Sequence, residues 1–124
     1  MIALGTNPAP GYSLATLRRV VAQVPEQTQV MVVLPYRRVV GANTRLQAKA
    51  VARAAGILRE LAATRPATCV ADWASLVAAH PSMLVDGTHQ VRRVEGTWAR
   101  FVASGWDACT AQQPAPSPAP PATS

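Results

Sequence analysis

Apolar positions in this chain fall into short unbroken runs that alternate with stretches repeating every three to four residues. Val30-Met31-Val32-Val33-Leu34 is the clearest run. It is rich in β-branched residues and closed by Pro35, the pattern of a strand buried on both faces of a parallel sheet. Met1-Ile2-Ala3-Leu4 reads as a strand stopped by the turn cluster Gly5-Thr6-Asn7-Pro8, and Thr68-Cys69-Val70-Ala71 as a third. Between them, Ser13 caps a helix to about Val24, with Leu14, Leu17, Val20, Val21 and Val24 on its apolar stripe and Pro25 at its end. A long Ala-rich helix from Asn43 or Thr44 to about Ala63 buries Leu46, Val51, Ala54, Leu58 and Leu61, and Pro66 stops it. Asp72 caps a brief helix, Trp73 to Ala79, ended by His80-Pro81. Arg92 to Val102 reads as the last helix, with Val94, Trp98, Phe101 and Val102 on one face.

Strand, helix, strand, helix, strand, helix is the order of a parallel α/β sheet. The 124 residues suit one domain, and 49% are apolar, although much of that is Ala, which buries little area. The expected division is a domain over 1–110 and a Pro/Ala-rich tail over 111–124, whose polyproline-type composition cannot build a core. Trp73, Trp98 and Trp106 are read as core or seam residues.

Charge and cysteines narrow the function classes. The net charge of +6 comes almost wholly from Arg, Lys49 being the one lysine. The arginines are scattered in pairs (Arg18-Arg19, Arg37-Arg38, Arg92-Arg93) with no basic run and no interleaved aromatics, so no nucleic-acid partner is expected. No segment reaches the ~18 apolar residues of a membrane span. Met1 to Gly5 lacks the basic start and long apolar centre of a signal peptide. Cys69 and Cys109 are too far apart for a zinc knuckle or redox pair, leaving one disulfide or two buried thiols.

The candidate chemistry gathers at Val85-Asp86-Gly87-Thr88-His89. An Asp three residues before a His, with Gly between, fits one short loop in which the carboxylate accepts from one imidazole nitrogen. That fixes the tautomer and leaves the other nitrogen to take a proton from a nucleophile. Asp-Gly is also a common turn dipeptide, so a plain turn is the competing reading. His80 reads as a helix-end residue. His80, His89 and Asp86 offer too few ligands at workable spacing for a metal, and no cofactor is expected.

With Gly5-Thr6-Asn7 closing the first strand and Asp86-Gly87-Thr88-His89 before the last helix, the chain resembles the SGNH (GDSL-type) hydrolases. It is most like the SGNH domains fused to membrane acyltransferases that O-acylate cell-envelope glycans. Val33-Leu34-Pro35-Tyr36 and Val70-Ala71-Asp72-Trp73 match the same pattern, and the resemblance spans about residues 1–106. It implies a three-layer, flavodoxin-like sandwich, here truncated to about three parallel strands, with its site at their carboxyl ends. It further implies His89 as general base and acid, Asp86 orienting it, and Asn7 donating its amide to the oxyanion. An acyl ester or cell-envelope glycan substrate follows, with an extracytoplasmic or cell-envelope location and a membrane acyltransferase domain in full-length homologues.

The departures are specific. The family's nucleophilic Ser lies in a Gly-Asp-Ser block upstream of the Gly-Thr-Asn element, and neither that block nor the following Gly block occurs here. Ser13, Ser75, Ser82 and Ser104 sit in helical or cap contexts, and His89 continues as Gln90-Val91 where the family often has Pro-Thr. The chain therefore reads as the carboxyl-terminal part of an SGNH domain, beginning at its third strand and inactive alone. Its first strand is left as an apolar edge prone to self-association. The alternative is a non-catalytic α/β binding or scaffold module for an anionic cell-envelope polymer.

Overall fold

A computed structural model describes residues 1–8 and 12–111. In order these form α1 (Leu14–Val21), β1 (Val30–Val33), α2 (Arg45–Thr64), β2 (Thr68–Ala71), α3 (Trp73–Ala79) and α4 (Glu95–Ala111), with 3-10 turns at Ala42–Thr44, Pro81–Met83 and Arg92–Val94. The two strands are parallel, Val30 opposite Thr68 and Val33 opposite Ala71. Most of the Pro/Ala-rich tail, from residue 112 onward, lies outside the described residues.

All four residues of β1 are buried, and their alternation divides the core in two. Val30, Val32 and Leu34 pack against Leu17 and Val21 of α1 and Ala55, Leu58 and Leu61 of α2. Met31 and Val33 face the other way, onto Ala71, Trp73, Val77 and Cys109, with Trp98, Phe101 and Val102 of α4 partly buried beside them. Successive strand side chains point to opposite faces, so one apolar run serves both cores. Trp73 meets Trp98 edge-on at 4.7 Å and Phe101 at 5.2 Å.

Cys69 of β2 and Cys109 of α4 are joined as a disulfide, with their Cα atoms 5.7 Å apart. The bridge ties the outer strand to the last helix, which the two alternatives left by the sequence did not decide.

Several expectations need correction. The first strand is reduced to a single parallel bridge, Ile2 to Val32, in which Ile2 N donates to Met31 O and Val33 N to Ile2 O, each at 2.8 Å. Met1 and Leu4 stay exposed. Leu46 is 78% exposed, contrary to its place in the buried set. It lies five positions before Val51, about 140° around the helix from that stripe. Val20 is exposed as well, since α1 turns only Leu17 and Val21 fully onto the core. Helix α1 ends at Val21, and the chain tightens into i→i+3 bonds (Val24 N to Val21 O, 2.9 Å) ahead of Pro25. Trp106 faces outward on α4, while Trp73 and Trp98 join the core as expected.

Candidate active site

The Asp86–His89 loop closes a small antiparallel turn. Leu84 bridges Gln90, Val85 N donates to His89 O at 2.7 Å, and Val91 N donates to Met83 O at 2.9 Å. Inside it the Asp86 carboxylate is fully engaged. Oδ1 accepts from the backbone N–H of Thr88 (3.0 Å) and of His89 (2.8 Å), while Oδ2 lies 2.7 Å from His89 Nδ1. An ionised carboxylate only accepts, so a ring proton sits on Nδ1, and in the neutral imidazole Nε2 is the nitrogen that keeps its lone pair. The His89 side chain is 78% exposed, leaving that nitrogen open to a reactant.

The His89 backbone bond, its ring bond and then the Thr88 N–H hold the Asp86 carboxyl well below the usual carboxylate range. A carboxyl depressed in the folded loop supports that loop above its unfolded pKa and releases it only as pH falls through the folded value. Acidification across the ordinary carboxylate range should therefore leave the loop formed. In an NMR titration the Thr88 and His89 amides should show no transition in the ordinary carboxylate range; a midpoint near 4 in those amides would contradict the geometry.

Two glycines set the loop's path. Gly87 adopts φ +85°, and a Cβ there would meet Arg38 O at 3.0 Å and Val40 Cγ1 at 3.1 Å. Arg38 N also donates to Gly87 O at 2.8 Å, so the segment leaving β1 braces the Asp–His turn. Gly5 adopts φ +103° where a Cβ would lie 2.9 Å from Ala54 Cβ. Only a residue without a side chain fits either position.

A cavity of about 210 Å³ opens beside the loop. Its walls include Thr6 from the amino-terminal segment, Tyr36 after β1, Trp73 and Trp98, and Thr88 and Gln90 on either side of His89. Asn7 follows Thr6 directly and is exposed. The neighbours of Asn7 and of His89 thus line one cavity, although the two residues are far apart in the chain. Thr88 Oγ1 is buried there without a hydrogen-bond partner, a polar group that spacing in the sequence gave no reason to select.

Among the described residues the serines are committed elsewhere or lie in helices and turns. Ser13 caps α1 by accepting from Thr16 N, and Ser75 donates to Asp72 Oδ2 at 2.9 Å. Ser82 lies in the Pro81–Met83 turn and Ser104 within α4. His80 is the C-terminal cap of α3. Among the described residues no group of three or more His, Cys, Asp or Glu is placed to hold a metal ion, and no helix is long and apolar enough to cross a membrane.

No family model and no curated protein matches the sequence. Among solved structures, the chain is similar to the C-terminal catalytic domain of Streptococcus pneumoniae peptidoglycan O-acetyltransferase A (OatA), in a structure carrying a methylsulfonyl adduct. The TM-score is 0.70 at 22% sequence identity, over 89% of this chain and 66% of that domain. The two share a fold. The likeness read from Gly5-Thr6-Asn7 and Asp86-Gly87-Thr88-His89 is thus borne out at the level of architecture. The chain spans 66% of the OatA domain it matches.

Proposed function

We propose that this chain is the carboxyl-terminal part of an SGNH-type acyltransferase domain that moves acyl groups to or from hydroxyls of a cell-envelope glycan. The observation that carries the reading is the 2.7 Å pairing of His89 Nδ1 with Asp86 Oδ2, with Nε2 left open. In this reading Nε2 takes the proton of an attacking hydroxyl and returns it to the leaving oxygen. Asp86 holds the tautomer and stabilises the imidazolium that forms. Asn7 donates its side-chain amide to the oxyanion of the tetrahedral intermediate.

In this reading the attacking serine comes from a Gly-Asp-Ser block, a tripeptide that these 124 residues do not contain, and Ser13 and Ser75 are tied into helix caps. Helices on both faces of the sheet fit the flavodoxin-like, three-layer arrangement, with Ile2 marking where further strands pair. The Cys69–Cys109 bridge and the peptidoglycan named for OatA fit an oxidising, extracytoplasmic setting and an envelope glycan substrate.

The deciding experiment compares acyl release from p-nitrophenyl acetate by the chain alone and by the chain extended with an SGNH-type Gly-Asp-Ser segment. Turnover should appear only in the extended form and depend on His89. Wild-type turnover by the chain alone that disappears in His89→Ala would place the nucleophile within it. Without such a segment, the Met1–Leu4 edge pairs with a second copy through its open backbone groups. Sedimentation velocity should show concentration-dependent self-association, and a monomer at all concentrations would contradict that pairing.

A further inference from the structure

The loop leaving β1 and the first half of α2 carry positive charge unrelieved by any acid. From residue 27 to 59 the cations Arg37, Arg38, Arg45, Lys49, Arg53 and Arg59 occur with no Asp or Glu among them. Within α2, Arg45 and Lys49 stand four apart, and Leu46, Lys49 and Arg53 are spaced three and four, so these residues share one side of the helix. That side is exposed and lies opposite the stripe of Val51, Ala54 and Leu58. Arg59 pairs with Asp72, whereas among the described residues Arg45, Lys49 and Arg53 enter no ion pair. The first acid on this side, Glu60, comes two turns after Arg53.

Apolar side chains stand exposed among these cations. Beside Leu46, Val39 is 48% and Val40 50% exposed. Val40 N donates to Thr44 Oγ1 at 2.9 Å, which seats Val40 against the start of α2. Ile2 bonds to Met31 and Val33, while β2 takes the opposite edge of β1 through Val30 and Leu34. Strands added beyond Ile2 therefore lie away from β2. Helix α2 crosses from β1 to β2, so its outer side stays uncovered by them.

A soluble polyanion would be held by the charges alone. A bilayer surface offers anionic headgroups to cations and, a few ångströms deeper, an apolar boundary to aliphatic side chains. We propose that this surface docks on an anionic lipid bilayer, with Val39, Val40 and Leu46 entering the headgroup region and Arg45, Lys49 and Arg53 pairing with lipid phosphates. The inference goes beyond acyl transfer and does not depend on it. It also places the candidate site: Arg38 N donates to Gly87 O at 2.8 Å and Val40 Cγ1 lies beside Gly87, so docking holds the Asp86–His89 turn close to the lipid.

The test is flotation of the chain with lipid vesicles, with circular dichroism of each variant to verify folding. Vesicles of phosphatidylglycerol and phosphatidylcholine in equal parts should bind at least about tenfold more tightly than phosphatidylcholine alone. Arg45→Gln with Lys49→Gln should weaken that binding about tenfold or more, since each cation near the surface contributes about fivefold. Arg19→Gln with Arg100→Gln removes the same charge from exposed positions on α1 and α4 and should cost less than about threefold. Val39→Ser, Val40→Ser and Leu46→Ser together should weaken vesicle binding about tenfold or more and leave binding to dextran sulfate, a soluble polyanion, unchanged.

His89→Ala should bind vesicles like the wild type. No preference for phosphatidylglycerol, equal losses from the two charge pairs, or vesicle binding indifferent to the three serines would each overturn the docking surface. Indifference to the serines, together with dextran sulfate binding lost in Arg45→Gln with Lys49→Gln, would assign the surface to a soluble polyanion instead. None of these readouts involves turnover, so their failure leaves the acyl-transfer reading standing, and the failure of that reading leaves the docking surface standing.

Discussion

Replacing His89 with Ala should lower acyl transfer by the serine-complemented chain by about 10²–10⁴-fold, the range for losing a general base. The side chain is 78% exposed, so the substitution removes chemistry without opening a cavity. Stability should change by no more than about 0.5 kcal/mol. Asp86→Asn tests the other half of the pair. The amide keeps the shape of the turn, and its oxygen still accepts from the Thr88 and His89 amides. Its –NH₂ then faces Nδ1, which favours the tautomer with the proton on Nε2, where no base function remains. The rate should fall to within about tenfold of His89→Ala. The measurement is kcat with p-nitrophenyl acetate, alongside circular dichroism to verify folding. If both variants keep wild-type kcat, the Asp–His turn is only a turn.

Loss of the Cys69–Cys109 bridge should be the largest change in stability. It closes a separation of 40 residues. Chain entropy alone assigns a loop of that size roughly 4 kcal/mol, and measured cases span about 2–4. For a domain near 100 residues this is a fall in Tm of about 10–25 °C. Calorimetry of Cys69→Ser with Cys109→Ser, or of the reduced wild type, reads it directly. A shift of only 1–2 °C would mean that the bridge does not form in solution. The consequence reaches the site: α4 carries Trp98, which walls the cavity beside His89, and Cys109 is the residue of α4 fully buried against the sheet. Reduction should therefore loosen the cavity wall before it disturbs the β1 core.

Elements governed by local chemistry were legible in the chain. The β1 run, the Ser13 and Asp72 caps, the α2 stripe through Val51, Ala54, Leu58 and Leu61, and the Asp86–His89 turn all appear where the pattern places them. Each depends on neighbours within a few residues, so its cause is written in the sequence. Leu46, Val20 and Trp106 were misjudged for a different reason. Burial depends on which face another element covers, and an apolar side chain on an uncovered face stays exposed.

The sequence by itself determined the Asp–His pairing, because three residues and a glycine suffice to bring carboxylate and imidazole together. Only the tertiary structure decided that Thr6 and Thr88 line one cavity, that Cys69 meets Cys109, and that Val40 lies beside Gly87. Those contacts join positions tens of residues apart. They exist because β1 packs helices on both its faces, and hydrophobic burial of that kind fixes distances that residue spacing along the chain does not.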